Sequence, residues 1–482
     1  MAIPDRRAPL ALVIAAASLP MFMAMLDNLV VTNALPALAQ DLNASIEELQ
    51  WFINAYSLSF ASFILMAVAL GDRLGRRRVF MSGIALFTLA SIACALADTP
   101  AQLIAARAIQ GVGAAALLPL SLAILASNVP AAKRPLAIGV WGGISGLGVA
   151  LGPIIGGAVV EGLTWHAIFW LNVPVGLVAI PLVRYALRES RGDRVRLDIP
   201  GLILGMAGVF ALVFGIIRGN EAGWTSTQVL AGLIGGTLLL LAFLAWEART
   251  SAPLLPLGLF RDRSFSVANA VGLTFSLGMF GAIFILIQFL QVVQGHSPLE
   301  AGLMTMPWTM APLIVAPITG ILTPRIGTRA FIVVGLAAQA LGLAWIAAVM
   351  DPAVAYGTFV PAFVLCGVGM GMVFAPSATA VLAHMREADH AKASGTNSTV
   401  REIGVALGIA VLTAVFTGTG GDFTPDGYTD SARIAVFVGA AVLVGATAIG
   451  ALLPAHERTP RSPQPGDASA PRTPSPAGAL VG

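Results

Sequence analysis

The chain has 482 residues, 57% of them hydrophobic and only 11% charged, with a formal net charge of +3. A water-soluble domain carries roughly 25% charged residues, so the composition excludes that class and indicates a polytopic membrane protein. The small net charge leaves no footprint for nucleic acid, and Cys94 and Cys366, both inside apolar runs, give no basis for a disulfide or a thiolate metal site.

Arg6 and Arg7 precede an apolar run too long for the core of a signal peptide, which reads as the first transmembrane helix, 10–35. Spanning-length runs follow at 49–70, 78–97, 101–126, 136–160, 165–186, 199–218 and 228–247. Six more lie at 265–293, 300–322, 329–350, 355–380, 395–418 and 431–453. The predicted fold class is therefore an all-α integral membrane protein of 14 helices, with both termini on one side, here called side A.

The loops of side A hold Arg73, Arg76, Arg77, Arg78, Lys133, Arg134, Arg184, Arg188, Arg249, Arg261, Arg325 and Arg329. Those of side B hold only Arg218 and Arg433, and carry acids such as Asp41, Glu47, Asp98, Glu300, Asp351 and Asp422. The positive-inside rule assigns side A to the cytoplasm of a plasma membrane. A weak repeat aligns Leu70, Arg73, Gly75 and Arg77 with Leu322, Arg325, Gly327 and Arg329. It divides the chain into a six-helix unit at 1–190, two inserted helices at 191–252, and a second six-helix unit at 253–455. The remainder, 456–482, is rich in Pro, Ser, Gly and Ala and reads as a disordered cytoplasmic tail.

Several stretches carry chemistry. Asp27 in the first helix lies roughly 13 Å from its side B end at Pro36. Arg107 in the fourth lies roughly 10 Å in from the same side, near Pro100. Ionisable groups at such depth are costly and mark function by default, the competing reading being a structural aspartate held by a partner. Burial disfavours a carboxylate's charge and a nearby arginine favours it, so the pair suits loading and release of a proton. Asp72, Arg73, Gly75, Arg76 and Arg77 form a tight turn on side A. The arginines alone signal only topology, while the acid and the glycine add specificity. Gly148, Gly152, Gly156 and Gly157, with Pro153 among them, leave one helix face nearly bare, for close packing or for bending. Gln288, Gln291 and Gln294 recur every three residues, and either line a wet cavity or bond between helices. Arg401 and Glu402 lie roughly 9 Å from the side A end of the thirteenth helix. Snorkelling to side A is the plainer reading for both, and a place in the cavity would give Glu402 a role toward cationic substrates. Asn28 and Gln110 complete the cavity candidates.

These stretches carry a resemblance. Leu26–Pro36, Asp72–Arg78, Arg107–Ala115, Gly148–Gly157, Trp165–Gly176 and Pro253–Phe265 are similar to motifs of the fourteen-helix drug:proton antiporters of the major facilitator superfamily. The Gly148–Gly157 pattern, G-x-x-x-G-P-x-x-G-G, resembles that family's fifth-helix antiporter signature. Departures are Leu29 for a threonine, Asn33 one place late, Val68 for a glycine, His166 for an arginine and Glu402 for a glutamine. The resemblance implies two parallel six-helix halves that alternate access to a central cavity, latched on side A by the Asp72 motif and parting along the glycine helix. It also implies that Asp27 and Arg107 couple protons to the export of hydrophobic or amphipathic drugs. Expected partners are a small-molecule drug or antibiotic, protons and the lipid bilayer, with no cofactor and the monomer as the working unit.

Rival classes fare worse. With only two lysines, Lys133 and Lys392, there is no phosphate-binding G-x-x-x-x-G-K-[ST] loop for ATP-driven transport. The histidines form no H-E-x-x-H, and no convergent polar cluster suggests an enzyme. A proton-coupled exporter or symporter of one specific metabolite is the alternative.

Overall fold

The computed structural model describes residues 8–454 other than 131–132, 193–196, 386–389 and 423. The expected tail, 456–482, falls outside the described residues, as do the side chains of Asn28 and Pro324. Helices account for the architecture, and there is no strand among the described residues. In chain order they are α1 (Leu10–Asp41), α2 (Ile46–Leu74), α3 (Arg76–Ala95), α4 (Pro100–Asn128), α5 (Arg134–Gly162), α6 (His166–Trp170), α7 (Asn172–Ala186), α8 (Ile199–Ala222) and α9 (Thr227–Glu247). Then come α10 (Arg263–Gln288), α11 (Pro298–Met304), α12 (Met306–Ile326), α13 (Thr328–Val349), α14 (Tyr356–Leu382), α15 (His390–Gly418) and α16 (Pro425–Gly450).

Among the described residues, 13 helices are long and apolar enough to cross a membrane, taking α6 with α7 as one. The glycine helix α5 has the length for a further crossing at 29 residues. Large apolar side chains face outward where soluble proteins place polar ones: Ile314, Ile321, Ile234, Leu238 and Leu241 are all more than half exposed. A surface of that kind is matched by lipid.

Prolines account for the departures from the predicted boundaries. The first helix was expected to stop at 35, yet α1 runs through Pro20 and Pro36 to Asp41. A proline withdraws one donor, and a packed helix absorbs that loss. The expected single helix 165–186 is broken at Leu171. Pro174 has no N–H to give the Trp170 carbonyl, so the turn cannot close there. Pro307 divides 300–322 in the same way, separating α11 from α12 at Thr305. Helix α10 ends in a π turn, Phe289–Val293. Polar caps seal the side B ends that face water. Ser45 with Glu48 and Ser297 with Glu300 form reciprocal capping boxes, and Thr99 accepts from the Gln102 N–H.

Packing falls into two sets with a seam between them. Helix α1 packs on α4, α5 and α7, α2 on α4, and α3 on α4 and α7. Helix α10 packs on α15 and α16, α14 on α12 and α13, and α13 on α16. The seam is formed by α2 against α15 and by α5 against α11 and α12. Helices α8 and α9 form a hairpin whose α8 touches both α2 and α15. There Val209, Val213 and Ile217 join Leu58, Ala406 and Ala410 in a small apolar cluster of their own.

Candidate transport site

Buried between α1, α3, α4 and α7 is one charged pair with its hydrogen-bonded shell. Asp27 and Arg107 are 2% and 0% exposed, and Arg107 Nη1 donates to Asp27 Oδ2 at 2.5 Å. The same Nη1 donates to Gln110 Oε1 at 2.6 Å, and Nε donates to the Phe52 carbonyl at 3.0 Å. The guanidinium lies 4.3 Å from the centre of the Tyr56 ring. Asp27 Oδ1 accepts from Gln110 Nε2 at 2.9 Å and from Asn172 Nδ2 at 2.7 Å. Small residues permit this depth of burial: a Cβ on Gly111 would meet the Tyr56 carbonyl, so α4 lies directly on α2. The structure thus brings together Asp27, Arg107 and Gln110. Asn172 and Ser91 join them, although sequence reasoning did not single them out. Asn172 lies within the Trp165–Gly176 motif, where a polar amide in an apolar run is the available signal.

The glycine helix does two things. A Cβ on Gly152 would come within 2.7 Å of Leu29 Cβ, and one on Gly156 within 2.9 Å of Val30 Cα, so this face beds α5 on α1. Gly148 likewise faces Phe22 and Met25. The contact to the other set is made by its neighbours: Gly157 lies against the Pro298 carbonyl and Leu299, and Gly302 of α11 lies against the Pro153 carbonyl. Asn33 joins all three elements. Its Nδ2 donates to the carbonyls of Pro153 and Pro298, both at 2.8 Å. Gln291, in the π turn, returns two bonds to Asn33, to its carbonyl at 2.9 Å and to Oδ1 at 2.8 Å. Near the same end, Ser297 Oγ donates to Glu161 Oε2 at 2.6 Å. The seam is closed on side B.

Beneath that closure is a narrow cavity of about 20 Å³. Leu29 and Pro153 line it from one set of helices, and Phe280, Ile283, Thr305, Trp308, Phe363 and Met370 are among those lining it from the other. Leu29 stands where the resembling motif has threonine, which makes this wall greasier. A cavity of that character selects by size and shape, with few polar demands. The other cavity candidates are placed elsewhere. Gln288 Nε2 bonds its own helix at the Phe284 carbonyl, and Gln291 belongs to the closure. The Arg401 guanidinium lies 4.6 Å from the centre of the Phe374 ring. Among the described residues, Glu402 Oε2 and Arg401 Nε are buried without a hydrogen-bond partner.

On side A, Asp72 Oδ1 accepts from Arg76 at 2.8 Å (Nε) and 2.7 Å (Nη2). Gly75, at φ 116°, makes the turn, and a Cβ there would strike the Glu189 carboxylate. That carboxylate caps α3 by accepting from the N–H groups of Arg77 and Arg78. Arg77 Nη1 donates to the Leu187 carbonyl at 3.0 Å. The motif thus holds the segment after α7. Arg73 sits in the last turn of α2, where a cation complements the helix dipole.

The family model described as Major Facilitator Superfamily matches residues 17–409 and 269–480. The chain is 37% identical over 406 residues to "Multidrug resistance protein Stp" of Mycobacterium tuberculosis (strain CDC 1551 / Oshkosh), covering 84% of this chain and 75% of that protein. It is also 37% identical over 457 residues to "Cephamycin export protein CmcT" of Amycolatopsis lactamdurans, covering 92% of each. Among solved structures, the POT family transporter PepTSo superposes with a TM-score of 0.69 at 14% identity, covering 93% of this chain and 98% of that one, a likeness of fold alone.

Proposed function

The chain belongs to the Major Facilitator Superfamily, and from that premise we propose that it is a proton-coupled exporter of hydrophobic or amphipathic drugs, antibiotics among them. Its route is alternating access between two six-helix units, 1–190 and 253–455, with 191–252 inserted between them and the monomer as working unit. Side A is cytoplasmic. The carrying observation is the buried Asp27–Arg107 pair lying in one half while the apolar cavity straddles the seam. A protonatable group and a substrate site placed apart in one moving frame can exchange influence through its conformation.

In this reading Asp27 carries the proton. Ionised, it is held by Arg107; protonated, it no longer needs the arginine, and the helices that bear the two are free to shift. Closure by Asn33, Gln291, Pro153 and Gly157 describes the state sealed to the outside. The cavity meets its cargo mainly with aliphatic and aromatic surface, which fits compounds that partition into lipid. Names of the relatives support this cargo, since one confers multidrug resistance and the other exports cephamycin.

Susceptibility to a chemically broad panel, compared between cells with and without the protein, tests the reading. Protection against several unrelated lipophilic compounds is expected, and protection against none would sink it. Coverage of 92% in both directions with the cephamycin exporter favours a second reading, an exporter of a single antibiotic. Protection confined to one chemical scaffold distinguishes it.

A further inference from the structure

Asp27 has one more polar contact than its arginine and glutamine account for. Asn172 is the first residue of α7, immediately past the break at Leu171, and is 2% exposed. One turn later Gly176 is pressed onto Thr88 of α3, so α7 carries Asn172 against α3 at the level of Ser91. There Asn172 Nδ2 donates to Asp27 Oδ1 at 2.7 Å and to Ser91 Oγ at 3.3 Å. Gln110 Nε2 makes the matching pair, to Asp27 Oδ1 at 2.9 Å and to Ser91 Oγ at 2.9 Å.

The hydroxyl of Ser91 settles which way both amides point. Its hydrogen is given to the Phe87 carbonyl at 2.8 Å, so its oxygen is left only to accept. Each amide must therefore turn its NH₂ toward Ser91, and the second N–H of each then falls on Asp27. The carboxylate is surrounded by N–H groups: two amides on Oδ1 and Arg107 on Oδ2. That shell suits an ion, which only accepts, and opposes a neutral carboxyl, whose O–H needs an acceptor.

We propose that Asn172 is a positioning residue for the coupling carboxylate, holding Asp27 in its ionised form together with Arg107, and that Ser91 orients the two amides that do so. This rests on the reading of Asp27 as the coupling acid. Among the described residues, the charged and titratable groups facing Asp27 are Arg107 of α4, Tyr56 of α2 and Cys94 of α3. Glu402 of α15 acts on Tyr56. The other neighbours of α1 carry theirs at helix ends: Arg134 and Glu161 of α5, His166 of α6, Arg184 of α7, Arg263 of α10 and Glu300 of α11. Asn172 is thus a neutral donor at a site whose close cation, among the described residues, is Arg107.

The test is infrared difference spectroscopy of the full chain in liposomes, titrated with pH. The protonated carboxyl band that disappears in Asp27→Asn is followed. In Asn172→Leu, which keeps the branched outline and removes the donor, the midpoint of that band moves to higher pH by about one unit, the effect of one hydrogen bond to a charged group. Ser91→Ala moves it in the same direction by less, and Asn172→Ala serves if the leucine variant does not fold. An unmoved midpoint in both Asn172 variants overturns the proposal, as does the absence of any Asp27-dependent band across the titration. Failure of the transport reading looks different: the band shifts as described, yet Asp27→Asn still exports uphill.

Discussion

Asn33 of α1 and Gln291 of the π turn after α10 are joined by two hydrogen bonds, so one amide in one half is held at both its backbone and its side chain by one amide in the other. Asn33 is wholly buried, and the side B closure passes through it. Each of its bonds contributes about 0.5–1.5 kcal/mol net, enough together to set the balance between closed and open states. In Asn33→Leu the side B end opens more readily. A cysteine placed at Leu299, which lies against Gly157 across the closure, should react faster in that background with a membrane-impermeant maleimide added from side B than in a Leu299→Cys control. Equal rates would remove Asn33 from the closure.

Gly157 is the point on the glycine helix where bulk meets the other half, because its neighbours are the Pro298 carbonyl and Leu299. Gly157→Leu is expected to insert normally and lose export, with the closed state disfavoured by about 1–3 kcal/mol, as overpacking costs. Gly152→Leu should also be inactive, by pushing Leu29 and α1 away. Normal export by a correctly inserted Gly157→Leu protein would show that closure does not pass there.

Asp72 is expected to act on conformation and not on cargo. It is bound to Arg76 at the side A edge, and it does not line the central cavity. Asp72→Asn should slow transport while equilibrium binding of an exported compound changes no more than a few fold. The opposite pattern, lost binding with normal conformational exchange, would place Asp72 in the substrate path.

The crossings were legible in the sequence because a lipid-facing helix must be apolar for its whole length, and only side A loops collect arginine. Asp27 and Arg107 were legible as a pair because both are ionisable and both sit at a matching depth from the same side. What escaped was neutral. Asn172 and Ser91 have no charge to announce them, and their place beside Asp27 depends on how α7 packs on α3. Asn33 looked merely displaced by one position, whereas that position is what turns its amide toward Pro298. Gln288, Gln291 and Gln294 looked like one polar stripe, but the π turn at 289–293 sends them to three different partners. Glu402 could not be assigned from spacing, since the same helix position serves a snorkelling and a buried side chain.

Coupling through Asp27 is tested most directly in inverted vesicles, with a proton gradient imposed and a compound against which the protein protects. Asp27→Asn keeps the shape of the side chain and fixes it neutral. The expected result is that wild-type vesicles concentrate the compound, while Asp27→Asn vesicles bind it with similar affinity, equilibrate it downhill and fail to concentrate it. Gradient-driven accumulation by Asp27→Asn equal to wild type contradicts the role of Asp27 and moves the coupling acid to Glu402.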